Sequence, residues 1–314
     1  MAIKTSRSSS NGTITIQSEL CTVCGRCVEV CKDFSLIIKD KKLQINPDPV
    51  FGCIGCGHCM AVCPHNAIEI SGRTLTSNDL FDLPTVTEAS GFGALMALLK
   101  RRRSIREFTD QQIEPKIIEQ ILAAARTSPM GLPPSDVQVL VFDSTEKSRA
   151  FAEDFCTYLE GMKWLVSPWF LWLMRPFRGK ANHEVFSGFV KPLLKVYTEK
   201  MKEGVNVVTY DAPLAIYFYG TPYSDPADPI VAATTAMYAG ESLGLGSCML
   251  GAIHPLIQQG NRARKFREKH GIRSTSREGL FVIFGYPAVS YKKGIRRTFA
   301  SEDYYSAPSE PSRP

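Results

Sequence analysis

The chain has 314 residues, of which 44% are hydrophobic and 22% charged, and this composition excludes a mostly disordered protein. Its formal net charge of +6 comes from basic residues scattered along the chain, which does not indicate nucleic-acid binding. The length exceeds that of a typical single domain, so we expect one small and one large domain.

The two ends of the chain are polar. Residues 1–13 are rich in Ser and Thr, residues 306–314 have a similar character, and we predict that both are flexible tails. Because residues 1–13 lack the apolar core of a secretion signal, we expect a cytoplasmic protein. The longest strongly apolar run, residues 164–174, is too short to span a bilayer, so no membrane span is predicted.

Eight of the ten cysteines lie between residues 21 and 63, in two copies of one pattern. Each copy reads C-x2-C-x2-C-x3-C, and the second adds a proline after its last cysteine. This spacing presents three thiolates to one iron–sulfur cubane while the fourth reaches a second cubane. It therefore predicts two 4Fe-4S clusters, one held by Cys21, Cys24, Cys27 and Cys63 and the other by Cys53, Cys56, Cys59 and Cys31.

Zinc knuckles and buried disulfides are the alternatives for these cysteines. Zinc sites normally use two pairs of cysteines, which leaves no use for the third and fourth members of each copy. Disulfides fit neither a reducing compartment nor this spacing. Residues 14–72 resemble the two-cluster bacterial-type ferredoxins, with Lys32 standing where the first copy usually has proline. A short apolar run after each copy is typical of a strand.

A polar connector at residues 73–90 is interpreted as the linker to the larger domain, which we place at residues 91–305. Helical spacing predicts a helix from Pro115 to about Arg126, and residues 229–243 are interpreted as a buried helix. Apolar runs predict three strands, at residues 137–142, 214–219 and 280–284. Because helices and strands do not alternate strictly, we expect an α+β fold.

The densest basic cluster, R-R-R-S-I-R at residues 101–106, follows a short apolar segment that we expect to be helical. Its guanidinium groups and serine supply the charge-assisted hydrogen bonds that a phosphate monoester requires. A solvated helix end is the alternative interpretation.

The pattern R-R-S-x-R-x-F after a helix is similar to the opening motif of the nitroreductase family of FMN enzymes. Three further matches occur in the family's order: LAAARTSPMG at residues 122–131, GESLGLGSCMLGA at 240–252 and GYPAVSYKKGIRRTF at 285–299. The resemblance covers residues 91 to about 305. It implies a central mixed, mainly antiparallel sheet flanked by helices, and a homodimer with the flavin pocket at the subunit interface.

Carried over by position, the resemblance implies that the FMN phosphate and ribityl chain are held by Arg102, Arg103, Ser104, Arg106 and Arg297, with Arg296 competing for the last role. It places Pro129, Met130 and Gly131 beside the isoalloxazine, and Leu250 and Gly251 near its N5 edge. Many relatives have Asn followed by Gln-Pro-Trp where this chain reads P-P-S-D-V at residues 133–137, a departure at the flavin contact.

The three tryptophans, Trp164, Trp169 and Trp172, lie in one apolar segment. Three interpretations are open: core or dimer interface, a lid over the flavin, or a membrane-surface contact through Lys163, Arg175 and Arg178. Outside the two cysteine runs, Cys156 and Cys248 are interpreted as buried small side chains. The five histidines are too dispersed to form a metal site or a catalytic triad.

These patterns together predict an FMN-dependent oxidoreductase with two 4Fe-4S clusters. The clusters are expected to exchange single electrons with FMN, which reduces a small apolar acceptor such as a nitroaromatic, a quinone or an activated alkene. Reduced ferredoxin or NAD(P)H is the expected donor. No catalytic side chain is assigned, because the chemistry is expected at the flavin N5. A non-catalytic redox sensor or electron carrier is the alternative.

Overall fold

Two antiparallel strand pairs and two short helices form the cysteine-rich part of the chain in the computed structural model, which describes residues 2–173 and 184–305. Strand β1 pairs with β4 and strand β2 with β3. The elements of this part are β1 (Thr13–Ile16), α1 (Arg26–Val30), β2 (Leu36–Lys39), β3 (Lys42–Ile45), α2 (His58–Ala61) and β4 (Ile68–Ser71).

The two copies of the cysteine pattern fold alike. Gly25 precedes α1 with φ 82° and Gly57 precedes α2 with φ 76°, so the same position of each copy lies in the left-handed region that glycine adopts without strain. Leu36, Met60, Ile68 and Ile70 form a small apolar core together with the buried Cys27 and Cys59. A core of this size contributes little stability by itself.

The larger part of the chain is built on a four-stranded antiparallel sheet with the strand order β5-β6-β8-β7. A single parallel bridge between Ser104 and Ser247 adds a further chain segment beside β7. The elements are α3 (Phe92–Arg101), α4 (Pro115–Arg126), β5 (Gln138–Phe142), α5 (Thr145–Glu160), α6 (Lys191–Lys202), β6 (Leu214–Tyr219), α7 (Ala227–Ser242), β7 (Gly246–Leu250), α8 (Ile253–Leu256), α9 (Asn261–Lys269) and β8 (Gly279–Gly285).

Helices cover both faces of this sheet. Every residue of β6 and of β8 is buried, which is expected of strands that pack against helices on both sides. On one face α4 and α7 pack against Leu214, Ile216 and Phe218, and on the other face α5 packs against Tyr217. The predicted α+β fold is therefore confirmed.

The predicted helix at Pro115–Arg126 is confirmed, and so is the strand at Leu214–Tyr219. The strand β7 was not predicted, because its residues lie in a glycine-rich segment. Gly244, with φ 83°, turns the chain after α7. The chain then continues into the sheet instead of remaining a loop.

Residues 3–12 differ from the expected flexible tail. The Thr5 side chain is buried, and the backbone N–H and hydroxyl of Ser6 donate to the carboxylate of Asp136. The Gly12 N–H also donates to the Cys53 carbonyl. A short polar segment is ordered here because another part of the chain satisfies its backbone groups, which its composition does not reveal. The predicted tail at residues 306–314 lies outside the described residues.

Within residues 2–173 and 184–305, no helix combines the length and the apolar character needed to cross a membrane. The three tryptophan side chains are not part of the core, since the exposed fractions of Trp164, Trp169 and Trp172 are 49%, 61% and 74%, although Val166 of the same segment is buried in it. Arg175 and Arg178, which the membrane-surface interpretation also used, lie outside the described residues.

Candidate functional site

Cys21, Cys24 and Cys27 of the first copy line one cavity together with Cys63 of the second copy. We call it the first cysteine cavity, and apart from these four residues its walls include Leu20, Ile38 and Arg26. The Ala67 N–H donates to the Cys63 sulfur at 3.3 Å, which fixes the position of this thiol.

Cys53, Cys56 and Cys59 of the second copy line a cavity of about 460 Å³ together with Cys31 of the first copy. We call it the second cysteine cavity. The structure thus brings the eight cysteines together in the two groups that the spacing predicts, and each group takes its fourth member from the other copy.

The electrostatic couplings between the thiols follow the same grouping. Burial raises the pKa of Cys59 to about 12, and Cys53, Cys56 and Cys31 contribute to this rise as neighbouring negative charges. Burial also raises the pKa of Cys27, with Cys21 and Cys24 adding to it. Bound cationic iron offsets this cost of ionisation, because a coordinating metal deprotonates a thiol.

The thiols surround cavities and do not converge on a point. Among residues 2–173 and 184–305, no three His, Cys, Asp or Glu side chains are arranged to hold one metal ion. Two groups of four thiols, each around its own cavity, suit a pair of multi-iron clusters.

One short segment, residues 129–132, separates the second cysteine cavity from another cavity. Gly131 and Leu132 line the second cysteine cavity, whereas Pro129 and Met130 line a cavity of about 510 Å³. We call the latter the apolar cavity after the side chains that form much of its wall, which are Val137, Val139, Val141, Phe218, Leu122 and Ala232; Arg7, Arg126 and Asp228 also line it. A group in the apolar cavity is therefore one short loop away from the second set of thiols.

Asp228 holds this loop in place. It lies in the first turn of α7, is buried, and accepts a hydrogen bond of 2.9 Å from the Gly131 N–H. Burial raises the pKa of its carboxyl group, and the carboxylates of Asp225 and Asp136 add to that effect. Sequence reasoning missed Asp228, because one acidic residue in a helix carries no distinguishing pattern.

The predicted phosphate-binding residues divide between two sides of an extended segment. Ser104 pairs with β7, and Arg102 and Arg106 act electrostatically on Cys248 of that strand. Arg103 points elsewhere, into a surface cavity that it shares with Lys100, Arg101, Lys292 and Lys293. Alternation along an extended chain explains the division, since successive side chains point to opposite sides. Within one chain, the structure therefore does not bring Arg103 together with the other three.

The hydrogen-bond donors of these arginines and of Ser104 suit an anionic ligand. Arg106 and Ser104 are exposed, and no carboxylate pairs with Arg102, Arg103 or Arg106 in the part of the chain that the structure describes. Ser247, opposite Ser104, has a buried hydroxyl without a hydrogen-bond partner among the described residues. Guanidinium groups without an acidic partner, beside an unsatisfied hydroxyl, fit a phosphate ester.

The loop and the basic residues lie at opposite ends of α7 in one chain. Gly131 contacts Asp228 in the first turn, whereas Arg101 forms a salt bridge of 3.2 Å with Glu241 in the last. At a rise of about 1.5 Å per residue, the helix between Asp228 and Glu241 spans about 20 Å. The structure therefore does not bring Pro129, Met130 and Gly131 together with Arg102 and Ser104 within one chain.

The other predicted flavin contacts are also separate from the loop. Leu250 is buried at the end of β7, and Gly251 follows it in open space, where an added Cβ would meet no atom within 4 Å. This strand is at the edge of the sheet opposite β5, which borders the apolar cavity. Arg296 and Arg297 are exposed in the extended C-terminal segment.

The two remaining cysteines are buried, as expected. Burial raises the pKa of Cys156 to about 11 and also raises that of Cys248, so neither is activated as a nucleophile. His254 is buried in a hydrogen bond of 2.8 Å with the Tyr217 hydroxyl, and His270 packs against Phe151. Burial lowers the pKa of both histidines. His183 lies outside the described residues.

Comparison with known proteins supplies two family matches. The model of the nitroreductase family matches residues 99–286, and the model of the 4Fe-4S dicluster domain matches residues 20–68. No curated protein is significantly similar to the chain.

Several solved structures resemble part of the chain. A nitroreductase with bound FMN from Desulfitobacterium hafniense is 20% identical, with a TM-score of 0.47, over 67% of this chain and 97% of that one. A nitroreductase with bound FMN from Bacteroides fragilis is 16% identical, with a TM-score of 0.46, over 67% and 98%. A BluB-like flavoprotein from Clostridium difficile is 13% identical, with a TM-score of 0.45, over 65% and 94%.

Exchange of one cysteine in each cavity tests the grouping. We expect Cys31→Ser and Cys59→Ser to alter the same iron–sulfur electron paramagnetic resonance (EPR) signal, although the two residues lie in different copies, because both line the second cysteine cavity. Cys63→Ser should alter the other signal. The measurement is EPR of the dithionite-reduced protein together with iron analysis.

The buried Cys156→Ser is the control and should leave both signals unchanged, since Cys156 lines neither cavity. If Cys31→Ser and Cys63→Ser altered one and the same signal, the exchange of ligands between the copies would be wrong.

Proposed function

Because the chain belongs to the nitroreductase family and carries a 4Fe-4S dicluster domain, we propose that it is an FMN-dependent oxidoreductase in which electrons pass between two clusters and FMN to reduce a small apolar acceptor. Nitroaromatics, quinones and activated alkenes are the acceptor classes. The observation that carries this proposal is the single loop, residues 129–132, that borders both the second cysteine cavity and the apolar cavity.

Cys21, Cys24, Cys27 and Cys63 would hold one cluster, and Cys53, Cys56, Cys59 and Cys31 the other. When bound, the clusters supply one-electron transfer and FMN supplies the conversion between one-electron and two-electron chemistry. The eight thiols must stay reduced to bind iron, so we place the protein in the cytoplasm.

Arg102, Ser104 and Arg106 would bind the FMN phosphate and ribityl chain, with Arg297 as a further donor. The support for this role is that Arg102 and Arg106 have no carboxylate partner among the described residues and act electrostatically on Cys248, while Ser104 pairs with Ser247, whose buried hydroxyl has no hydrogen-bond partner among those residues. Arg106 also stacks over Tyr210, with its guanidinium carbon 5.7 Å from the ring centre, which limits its freedom. Phosphate binding at this end orients the flavin ring.

Pro129, Met130 and Gly131 would contact the isoalloxazine, and Leu250 and Gly251 would lie near its N5 edge. Asp228 fixes the loop by its hydrogen bond to the Gly131 N–H, so the loop presents a constant surface. The apolar side chains of Val137, Val139 and Phe218 line the cavity beside Pro129 and Met130, which favours an apolar ring at this wall.

A homodimer would complete this pocket. The loop of one chain and the basic residues of the same chain lie at opposite ends of α7, so a second copy is needed to bring such groups together. Large exposed apolar residues support an interface: α3 buries none of its side chains, and Ile295, Phe299 and Tyr304 are 79%, 81% and 90% exposed.

The donor would be reduced ferredoxin, which delivers one electron at a time, or NAD(P)H. With ferredoxin, the net reaction oxidises two donor molecules and adds two electrons and two protons from water to the acceptor. The first cysteine cavity suits entry of electrons, because Cys24 is exposed and Leu20 and Ile38 beside it are 47% and 45% exposed.

Anaerobic reoxidation tests the proposed activity. We expect protein reduced with dithionite to be reoxidised by a nitroaromatic or a quinone at least tenfold faster than by oxygen, because the apolar cavity admits planar apolar molecules. Stopped-flow absorbance separates the flavin band from the cluster bands. If no acceptor in the panel reacted faster than oxygen, the protein would be a redox sensor or carrier.

Loss of the basic residues tests flavin binding. Changing Arg102 and Arg106 together to Ala should weaken FMN binding about 100-fold or more, since a hydrogen bond to a charged group contributes about 1.5–3 kcal/mol and about 1.4 kcal/mol is tenfold in affinity. Flavin fluorescence after equilibrium dialysis measures the change. Cluster absorbance should be unchanged.

Arg103→Ala is the matched control, because Arg103 points into the cavity on the other side of the segment. It should bind FMN within about threefold of the wild type. Equal losses for Arg103→Ala and for the double variant would overturn the division of the basic residues between two sides.

Mixed dimers test whether the pocket is shared. One chain carries Arg102→Ala and Arg106→Ala together, and the other carries Gly131→Leu. We expect each to bind little FMN on its own. In the second, the leucine side chain would collide with Asp225, which lies 2.9 Å from a Cβ added to Gly131. The heterodimer, purified through two affinity tags, should bind half of the wild-type FMN, because one of its two pockets is intact. A heterodimer without FMN, or a monomer in sedimentation, would contradict the shared pocket.

A further inference from the structure

Arg73 is a buried arginine at the place where the two parts of the chain meet. Its exposed fraction is 4%, and it lies in a turn in which Arg73 and Thr74 both have positive φ, 51° and 62°. The linker prediction at residues 73–90 gave it no role. A left-handed backbone at two consecutive non-glycine residues carries strain, which the surrounding contacts must offset.

The guanidinium group of Arg73 donates four hydrogen bonds, all to backbone carbonyl groups. Nε donates to Ile54 at 2.8 Å, and Nη2 donates to Pro133 at 2.8 Å. Nη1 donates to Ile3 at 2.9 Å and to Ser10 at 2.8 Å. One planar side chain thus joins three separate segments: residues 3–10, the cysteine loop and the loop after Gly131.

Each of these segments adjoins the candidate redox site. Ile54 lies between Cys53 and Cys56 and lines the second cysteine cavity, as does Ile3. Pro133 directly follows Gly131 and Leu132, which line the same cavity. Arg73 therefore ties together three segments that contribute to the wall of the second cysteine cavity.

The charge of Arg73 has no carboxylate partner. No ion pair includes Arg73 within residues 2–173 and 184–305. Carbonyl dipoles solvate the guanidinium but carry no net charge, and a buried cation without a counter-anion is costly. An anionic cluster held by the four thiolates of the adjoining cavity would supply that counter-charge.

We propose that Arg73 is the positioning residue that fixes the second cluster against the loop of residues 129–133 and raises the reduction potential of that cluster through its buried charge. Reduction adds one negative charge to a cluster, so a fixed neighbouring cation stabilises the reduced form. The inference rests on the clusters of the proposed function but not on its acceptor.

Two substitutions separate charge from geometry. Arg73→Gln removes the charge, whereas Arg73→Lys keeps it but loses the planar fork that reaches four carbonyl groups. We expect Arg73→Gln to shift the one-electron equilibrium of one cluster at least tenfold towards the oxidised form, which corresponds to a reduction potential about 59 mV more negative. Arg73→Lys should leave the one-electron equilibria of both clusters within twofold of the wild type.

The geometric role has its own measurement. Both variants should exchange backbone hydrogen at residues 3–10 and 129–134 at least tenfold faster than the wild type, because the hydrogen bonds that join these segments are lost. EPR-monitored titration with dithionite and ferricyanide gives the potentials, and hydrogen–deuterium exchange with mass spectrometry gives the local opening.

Arg267→Gln is the matched control. Arg267 is a second buried arginine that donates to backbone carbonyl groups, those of Ile257 and Gln258, and it lines neither cysteine cavity. It should leave both cluster potentials unchanged. An equal shift in Arg267→Gln and Arg73→Gln would overturn the proposal, because the effect would then report general loosening of the fold.

The remaining outcomes are also decisive. If Arg73→Gln loses only the EPR signal that Cys59→Ser alters, the proposal is supported, since the cation and the second cluster then depend on each other. If Arg73→Gln does not fold, the Arg73→Lys variant decides. Unchanged cluster potentials together with faster hydrogen exchange at residues 3–10 and 129–134 support the proposal, whereas unchanged hydrogen exchange refutes it. Wild-type protein without iron would refute the proposed function, whereas iron-loaded protein with unshifted potentials in Arg73→Gln would refute this inference alone.

Discussion

The structure depends on an exchange of cysteines between two copies of one short repeat. Cys31 lies in the first copy and lines the cavity of the second, and Cys63 does the reverse. Neither cavity can form unless both copies are packed together, so the repeat folds as one unit. The apolar core beneath it is too small to impose this arrangement alone, and the clusters of a dicluster domain supply the additional cross-links.

The cavity that Cys31 completes also joins the thiols to the larger domain. Gly131 and Leu132 line it together with Cys31, Cys53, Cys56 and Cys59. Arg73 and the segment of residues 3–10 close the junction through hydrogen bonds to backbone carbonyl groups. Polar contacts of this kind need fixed distances and angles, so they specify one arrangement of the two domains more strongly than apolar packing would.

Much of this protein could be predicted from residue patterns. The spacing of the cysteines indicated their grouping, since ligand spacing is a local property of the chain. Pro115–Arg126 and Leu214–Tyr219 were predicted because each follows one clear hydrophobic period. The strand Gly246–Leu250 was missed, because glycines conceal a strand whose partners come from distant sequence.

The sequence by itself determined the two sets of thiols, the α+β class and the presence of a basic segment, because each of these is encoded by neighbouring residues. Only the tertiary structure decided which basic side chains lie on the same side of the segment at residues 101–106. Only the tertiary structure placed α7 between those residues and the loop of residues 129–132. It also gave Arg73 its role, through carbonyl groups as distant as Ile3 and Pro133. Backbone carbonyl groups are identical at every position, so no sequence pattern marks the ones that a buried arginine will find.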